Sequence, residues 1–221
     1  MAIYGYIELQ PLGWLPWEIG GSGSVKDSFV FTTIKTDPPM PYTKTPRSVM
    51  IYGLVTMGYH FGDHVATLLL KEKHSDFWEM QLHHIATISL YFCMIYGNRM
   101  GVGCTIAFLH DIADIFGCCV KCASTMKSEM ATVFCMALCM TSWFWTRLYV
   151  LPQYIYEIFM AKDDYIDSFN MSFCLINGFF LGILQVLHIY WFCLFIKMIR
   201  HKLKTGKSED LQNQSTKKKE Q

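Results

Sequence analysis

The chain has 221 residues, 52% hydrophobic and only 17% charged, with a formal net charge of +1. Soluble domains carry about a quarter charged residues, so the composition excludes an ordinary soluble domain and points to a membrane protein. No basic face with interleaved aromatics is present, which argues against a nucleic-acid partner.

Residues 1–48 read as an N-terminal loop or interfacial segment. Glu8, Pro11, Pro16 and Glu18 interrupt the apolar residues, and no basic stretch precedes an apolar run, so neither a span nor a cleavable signal peptide is predicted. Tyr6, Trp14 and Trp17 suit the headgroup level of a bilayer. Residues 20–47 are rich in Gly, Ser, Thr and Pro and read as loop.

Five spans are predicted within 49–201, at 49–70, 82–97, 101–119, 130–151 and 174–199, each apolar enough to enter a hydrocarbon layer. The first carries His60, Asp63 and His64 on one face by their three- and four-residue spacing. The second and third hold the most polar apolar-layer stretch, from His83 to Lys121, joined by a turn between Gly97 and Gly103. The fourth is expected to stop at Pro152. The fifth is closed by Lys197, Arg200, His201, Lys202 and Lys204, and 202–221 reads as a disordered basic tail. The fold class is therefore an all-α polytopic membrane protein.

Basic residues favour the cytosolic side. A cytosolic tail places the loops with Lys71 and Lys73 and with Lys121 and Lys127 in the cytosol. The 152–173 loop, with its sequon Asn170-Met171-Ser172, and the N-terminus then face the lumen. His83, His84, Asp111 and Asp114 fall near one depth, close to the cytosolic surface.

The nine cysteines lie mostly in apolar segments and do not form a secreted disulfide framework. They read first as small packing residues. Cys118, Cys119 and Cys122 cluster at a helix end, where palmitoylation is the functional alternative.

Ionisable groups inside a membrane cost about 2.5–3.5 kcal/mol each to insert, which makes the cluster a candidate site. Helical spacing groups His84, Thr87, Tyr91 and Asn98 on the second span, and His110, Asp114 and Lys121 on the third, with Asp111 one turn from Asp114. Gln185 and His188 on the fifth span and Arg147 on the fourth can face them. Histidine with carboxylate suits acyl transfer: the imidazole takes a proton or an acyl group, and the carboxylate fixes its tautomer. An interhelical polar network uses the same residue types. So does a metal site built from His60, Asp63 and His64 or from His83, His84 and the aspartates, although adjacent histidines diverge on a helix.

At these residues the chain resembles the TLC (TRAM/LAG/CLN) domain family, and within it the ceramide synthases. The Lag motif matches at His83-His84, Asn98, Gly103, Leu109-His110-Asp111 with Asp114, and Lys121. The likeness extends to DFWEMQLHH (76–84), WTRLYVLP (145–152) and NGFFLGILQVLHIYW (177–191). It implies a TLC-type helix bundle that transfers a fatty acyl group from acyl-CoA to a sphingoid base. His83, His84, Asp111 and Asp114 would be catalytic, and His110 second to them. Asn98, His110, Lys121, Arg147, Gln185 and His188 would meet substrate. No bound cofactor or metal is implied. The partners are membrane lipids, fatty acyl-CoA and a sphingoid base, with homo- or hetero-oligomers left open. An endoplasmic-reticulum location is implied, and Lys218-Lys219 resemble a dilysine retrieval signal.

The chain departs from the family at Cys118, where a Glu is usual, and at Arg99, which directly follows Asn98. The family has six spans or more against five here, so a further span is expected upstream of Met1 unless the N-terminal segment closes the bundle. The alternative reading is a non-catalytic TLC protein that binds lipid or escorts cargo.

Overall fold

The computed structural model describes residues 1–33, 44–69, 76–126, 128–160 and 168–205. Among them there are no strands, and the regular elements are helices. In chain order these are α1 (Ala2–Leu9), α2 (Val25–Thr33), α3 (Arg47–Leu69), α4 (Phe77–Tyr96), α5 (Met100–Thr125), α6 (Glu129–Trp143), α7 (Leu151–Met160) and α8 (Ser168–Thr205). Short 3₁₀ turns at Gln10–Leu12 and Trp17–Ile19 link α1 to α2. The stretches Met100–Thr125, Glu129–Met160 and Ser172–His201 are each long and apolar enough to cross a membrane. Many large apolar side chains remain exposed, among them Leu54, Phe92, Phe134, Phe179 and Val186. In water such a surface would aggregate; against lipid tails it costs nothing. The protein is an all-α, multi-pass membrane protein.

The five predicted spans fall on helices α3, α4, α5, α6–α7 and α8, of which only α5, α6–α7 and α8 are long and apolar enough to cross a membrane among the described residues; three further corrections apply. The fourth does not stop at Pro152. A π-helical turn at Phe144–Val150 runs into α7, whose second residue is that proline. The wider turn shifts the bonding register just before the residue that lacks an N–H, so the helix continues to Met160. The 152–173 loop is correspondingly shorter: 151–160 and 168–173 are helical, and Asn170 lies in the first turn of α8. The 120–129 loop shrinks as well, because α5 extends to Thr125. Lys71, Lys73, Lys127, Asp163, Asp164 and the dilysine pair lie outside the described residues.

The third correction concerns 1–33, which is packed structure rather than interfacial loop. Leu9, Leu15, Val25 and Phe29 are buried in the main core with residues of α3, α5, α7 and α8. Ser24 and Asp27 form a reciprocal cap that starts α2: the Ser24 amide donates to Asp27 Oδ2 at 3.0 Å and the Asp27 amide to Ser24 Oγ at 3.1 Å. Ser28 Oγ and Tyr154 Oη, 2.8 Å apart, tie α2 to α7, and Trp145 Nε1 donates to the Glu18 carbonyl at 2.8 Å. Of the three aromatics expected at the headgroup level, Tyr6 and Trp17 are exposed, whereas Trp14 is half-buried against the main core. At the opposite end a smaller aromatic core joins Trp143, Leu187 and Trp191. The cavity lies within the main core, which supplies Phe29, Tyr91, Met94, Leu181 and Leu184 to its wall.

Candidate active site

A cavity opens inside the bundle, lined mainly by α4, α5 and α8, with Phe29 and Thr33 of α2, His60 of α3, Arg147 of the π turn and Ile158 of α7. Its middle is apolar, walled by Leu90, Met94, Val102, Ile106, Leu181 and Leu184. One end gathers His60, His83, His110, Asp114 and Arg147. Asp114 is also half-exposed, so the polar end reaches the surface. The other end is closed by Phe173, with the Arg99 guanidinium 5.3 Å from its ring centroid.

The double histidine is split by the 100° rotation between neighbours on α4. His83, Thr87 and Tyr91, at four-residue spacing, line the cavity. His84 faces α3 instead, buried, with its Nε2 3.5 Å from Asp63 Oδ2 and its ring 5.5 Å from that of His64. The expected stripe of His84 with Thr87 and Tyr91 is thus displaced by one residue: His83, not His84, shares their face.

His110 lies across the cavity on α5. Its Nδ1 is 2.7 Å from the Ile106 carbonyl; a carbonyl only accepts, so Nδ1 carries a proton, and in the neutral ring Nε2 holds the lone pair. His188 of α8 is fully buried and does not line the cavity; its ring centroid lies 5.0 Å from that of His110 and 6.4 Å from that of His83. Trp143 packs on His188 at 5.7 Å and donates from its indole to the His188 carbonyl at 3.3 Å. His83 Nδ1, His110 Nε2, Thr87 Oγ1 and both nitrogens of His188 are buried with no hydrogen-bond partner among the described residues. Each such group costs about 1–3 kcal/mol. His83 Nδ1, Thr87 Oγ1 and His110 Nε2 belong to side chains that line the cavity, where water or a polar ligand can satisfy them.

The carboxylates do not pair with His83. Asp111 accepts a hydrogen bond from Tyr52 Oη of α3 at 2.9 Å. Asp114 accepts one from Arg147, which also donates to the His110 carbonyl at 3.2 Å and lies 3.9 Å from the Trp143 ring centroid. The carboxylate nearest either motif histidine is Asp63, on His84.

The remaining expected positions are less central. Asn98 is in the α4–α5 turn with φ 52° and does not line the cavity. Lys121 is exposed two turns beyond Asp114. Gln185 turns a buried, unpaired Oε1 into the helix packing, outside the cavity wall. Tyr52 was not anticipated, although three- and four-residue steps continue the His60–Asp63 face back through Thr56 to it. No three metal-ligating side chains converge among the described residues, and the exposed Cys118, Cys119 and Cys122 touch no part of the cavity.

Over 181 residues the chain is 30% identical to "Ceramide synthase LOH2" of Arabidopsis thaliana, covering 79% of this chain and 61% of that protein. It is 27% identical over 184 residues to "Ceramide synthase hyl-2" of Caenorhabditis elegans, covering 77% and 55% respectively. It is 27% identical over 181 residues to "Ceramide synthase 4" of Mus musculus, covering 78% and 44%. The chain therefore spans about half the length of the curated relatives it matches. No solved structure matches it. Residues 15–197, which include α2 and every wall of the cavity, match the TLC domain, and the chain belongs to that family.

Proposed function

We propose that this protein is an N-acyltransferase of ceramide-synthase type, which moves a fatty acyl group from acyl-CoA to the amine of a sphingoid base. The observation that carries this reading is one cavity with an apolar middle and a polar end, lined by both His83 and His110. From His83 to Met94 the α4 wall spans roughly 16 Å at 1.5 Å per residue, enough for much of a long acyl chain. The motif matches to the ceramide synthases support the substrate class.

His83 is the acyl acceptor. Its imidazole attacks the thioester carbon, and CoA leaves as the thiolate. His110, with Nδ1 committed to Ile106, offers Nε2 as the base that takes the proton of the attacking amine. Asp114 holds Arg147 at the polar end, where the thiolate's charge develops. His84, with Asp63, supports the start of α4 rather than touching substrate. Asp111 fixes Tyr52 and with it the α3–α5 contact. The basic residues at the end of α8 favour a cytosolic C-terminus, which puts the polar end where soluble acyl-CoA arrives, in the endoplasmic-reticulum membrane.

The test is expression in cells lacking their own ceramide synthases. The wild-type chain is expected to restore acyl-CoA-dependent ceramide formation, and His83→Ala to abolish it. Absence of product from the wild type, or undiminished product from His83→Ala, contradicts the reading.

A further inference from the structure

We infer that the Thr87 hydroxyl is a catalytic donor that holds the acyl carbonyl oxygen while it carries negative charge. This rests on acyl transfer at His83 as proposed above. In helices a threonine hydroxyl ordinarily donates to the carbonyl one turn back. Thr56, Thr105, Thr125, Thr141 and Thr146 all do so, at 2.8–3.0 Å. Thr87 does not. It is 9% exposed, lines the cavity, and its Oγ1 has no partner among the described residues.

Its place gives that vacancy a use. Thr87 is one turn after His83 on the same face of α4. Helical side chains lean toward the N-terminus, so Thr87 covers the turn that carries the reacting imidazole. The amides around His83 are committed to the helix, so a donor for the developing oxyanion has to come from a side chain. In an apolar wall such a donor acts at low dielectric, where its effect is largest.

The steps balance. A His83 ring nitrogen bonds to the thioester carbon, the carbonyl π pair moves to oxygen, and Thr87 hydrogen-bonds that oxygen without giving up its proton. The π bond re-forms, the C–S bond breaks, and sulfur leaves with its pair as CoA thiolate. The neutral amine then attacks the acyl carbon through a second oxyanion held in the same way. The bond to His83 breaks, and the amine proton passes through His110 to the thiolate.

Thr87→Val removes the hydroxyl at nearly constant shape, Thr87→Ser keeps it, and Thr87→Ala replaces the valine variant should that one fold poorly. Purified chains in lipid nanodiscs, with folding followed by thermal melting, give kcat and KM for acyl-CoA and sphinganine. Thr87→Val is expected to lower kcat about 100-fold or more, the scale of one oxyanion donor. Thr87→Ser is expected within about tenfold of wild type, with KM values shifted by no more than about threefold in either variant. Equal losses in Thr87→Val and Thr87→Ser, a kcat unchanged by Thr87→Val, or an effect confined to KM for sphinganine overturns the inference. Where wild type is active, His83→Ala is dead and Thr87→Val is unimpaired, the inference alone fails. A wild-type chain without transfer activity overturns the acyltransferase reading and this inference together.

Discussion

His110 donates its Nδ1 proton to the carbonyl of Ile106 across 2.7 Å, and that bond decides which nitrogen is left as a base. An asparagine at 110 can donate to the same carbonyl from its amide but offers no basic nitrogen. His110→Asn is therefore expected to keep the melting temperature and lower turnover by about 10²–10⁴, the range of a lost general base. Steady-state kinetics on the purified variant check this. Turnover near the wild-type value contradicts the assignment.

The Arg147–Asp114 pair is lopsided: the guanidinium is 5% exposed and the carboxylate 56%. Water already solvates much of the aspartate, whereas the arginine is almost wholly buried and leans on its partner. Asp114→Ala should thus destabilise by about 2–4 kcal/mol, toward the cost of an unpaired buried charge. Arg147→Met, which keeps volume and leaves a hydrated carboxylate, should cost about 1 kcal/mol. Thermal or denaturant unfolding in detergent measures both, and the reverse order contradicts the account.

The long helices were legible because each is a continuous apolar run and the turn at Gly97 separates two of them. α4 begins at Phe77, five residues before the predicted start at 82, because Phe77 and Gln81 are buried against the bundle, a tertiary effect that local hydropathy misses. Pro152 misled for a related reason: a preceding π turn absorbs a break that a regular helix would not. In the N-terminal segment, Leu9, Leu15 and Phe29 are too sparse to form a span, yet they fill gaps between helices that the sequence does not reveal as gaps. At the site, residue types were readable but partners were not. Spacing put His83 and His84 at one helix end; which of them meets the cavity depends on how α4 is rotated against α3. Likewise Asp111 and Asp114 find Tyr52 and Arg147, 59 and 33 residues away.

Gly97 faces Phe173 at the closed end of the cavity. A Cβ on Gly97 would lie 2.4 Å from Phe173 Cζ, so α4 and α8 approach closely only because residue 97 has no side chain. Gly97→Ala is expected to destabilise by about 1–3 kcal/mol, the cost of overpacking. Adding Phe173→Leu should recover part of that loss, giving a coupling of about 0.5 kcal/mol or more in a double-mutant cycle. Strict additivity of the two substitutions contradicts the contact.

Tyr52 is fully buried, with its hydroxyl on Asp111. Tyr52→Phe leaves that carboxylate short of a donor and should cost about 1–3 kcal/mol. In the Asp111→Asn background the same substitution should cost clearly less, because an amide oxygen accepts a weaker bond than a charged one. Melting temperatures of the four chains decide it, and equal costs in both backgrounds count against the bond.

The central claim is that the acyl group passes through the His83 imidazole, and intact-protein mass spectrometry tests it directly. Purified protein is mixed with acyl-CoA in the absence of amine and then with sphinganine. The account predicts an adduct of one acyl group on the wild type and on His84→Ala, none on His83→Ala, and loss of the adduct as ceramide forms. An adduct that maps to another residue, or ceramide formed by His83→Ala at the wild-type rate, contradicts it.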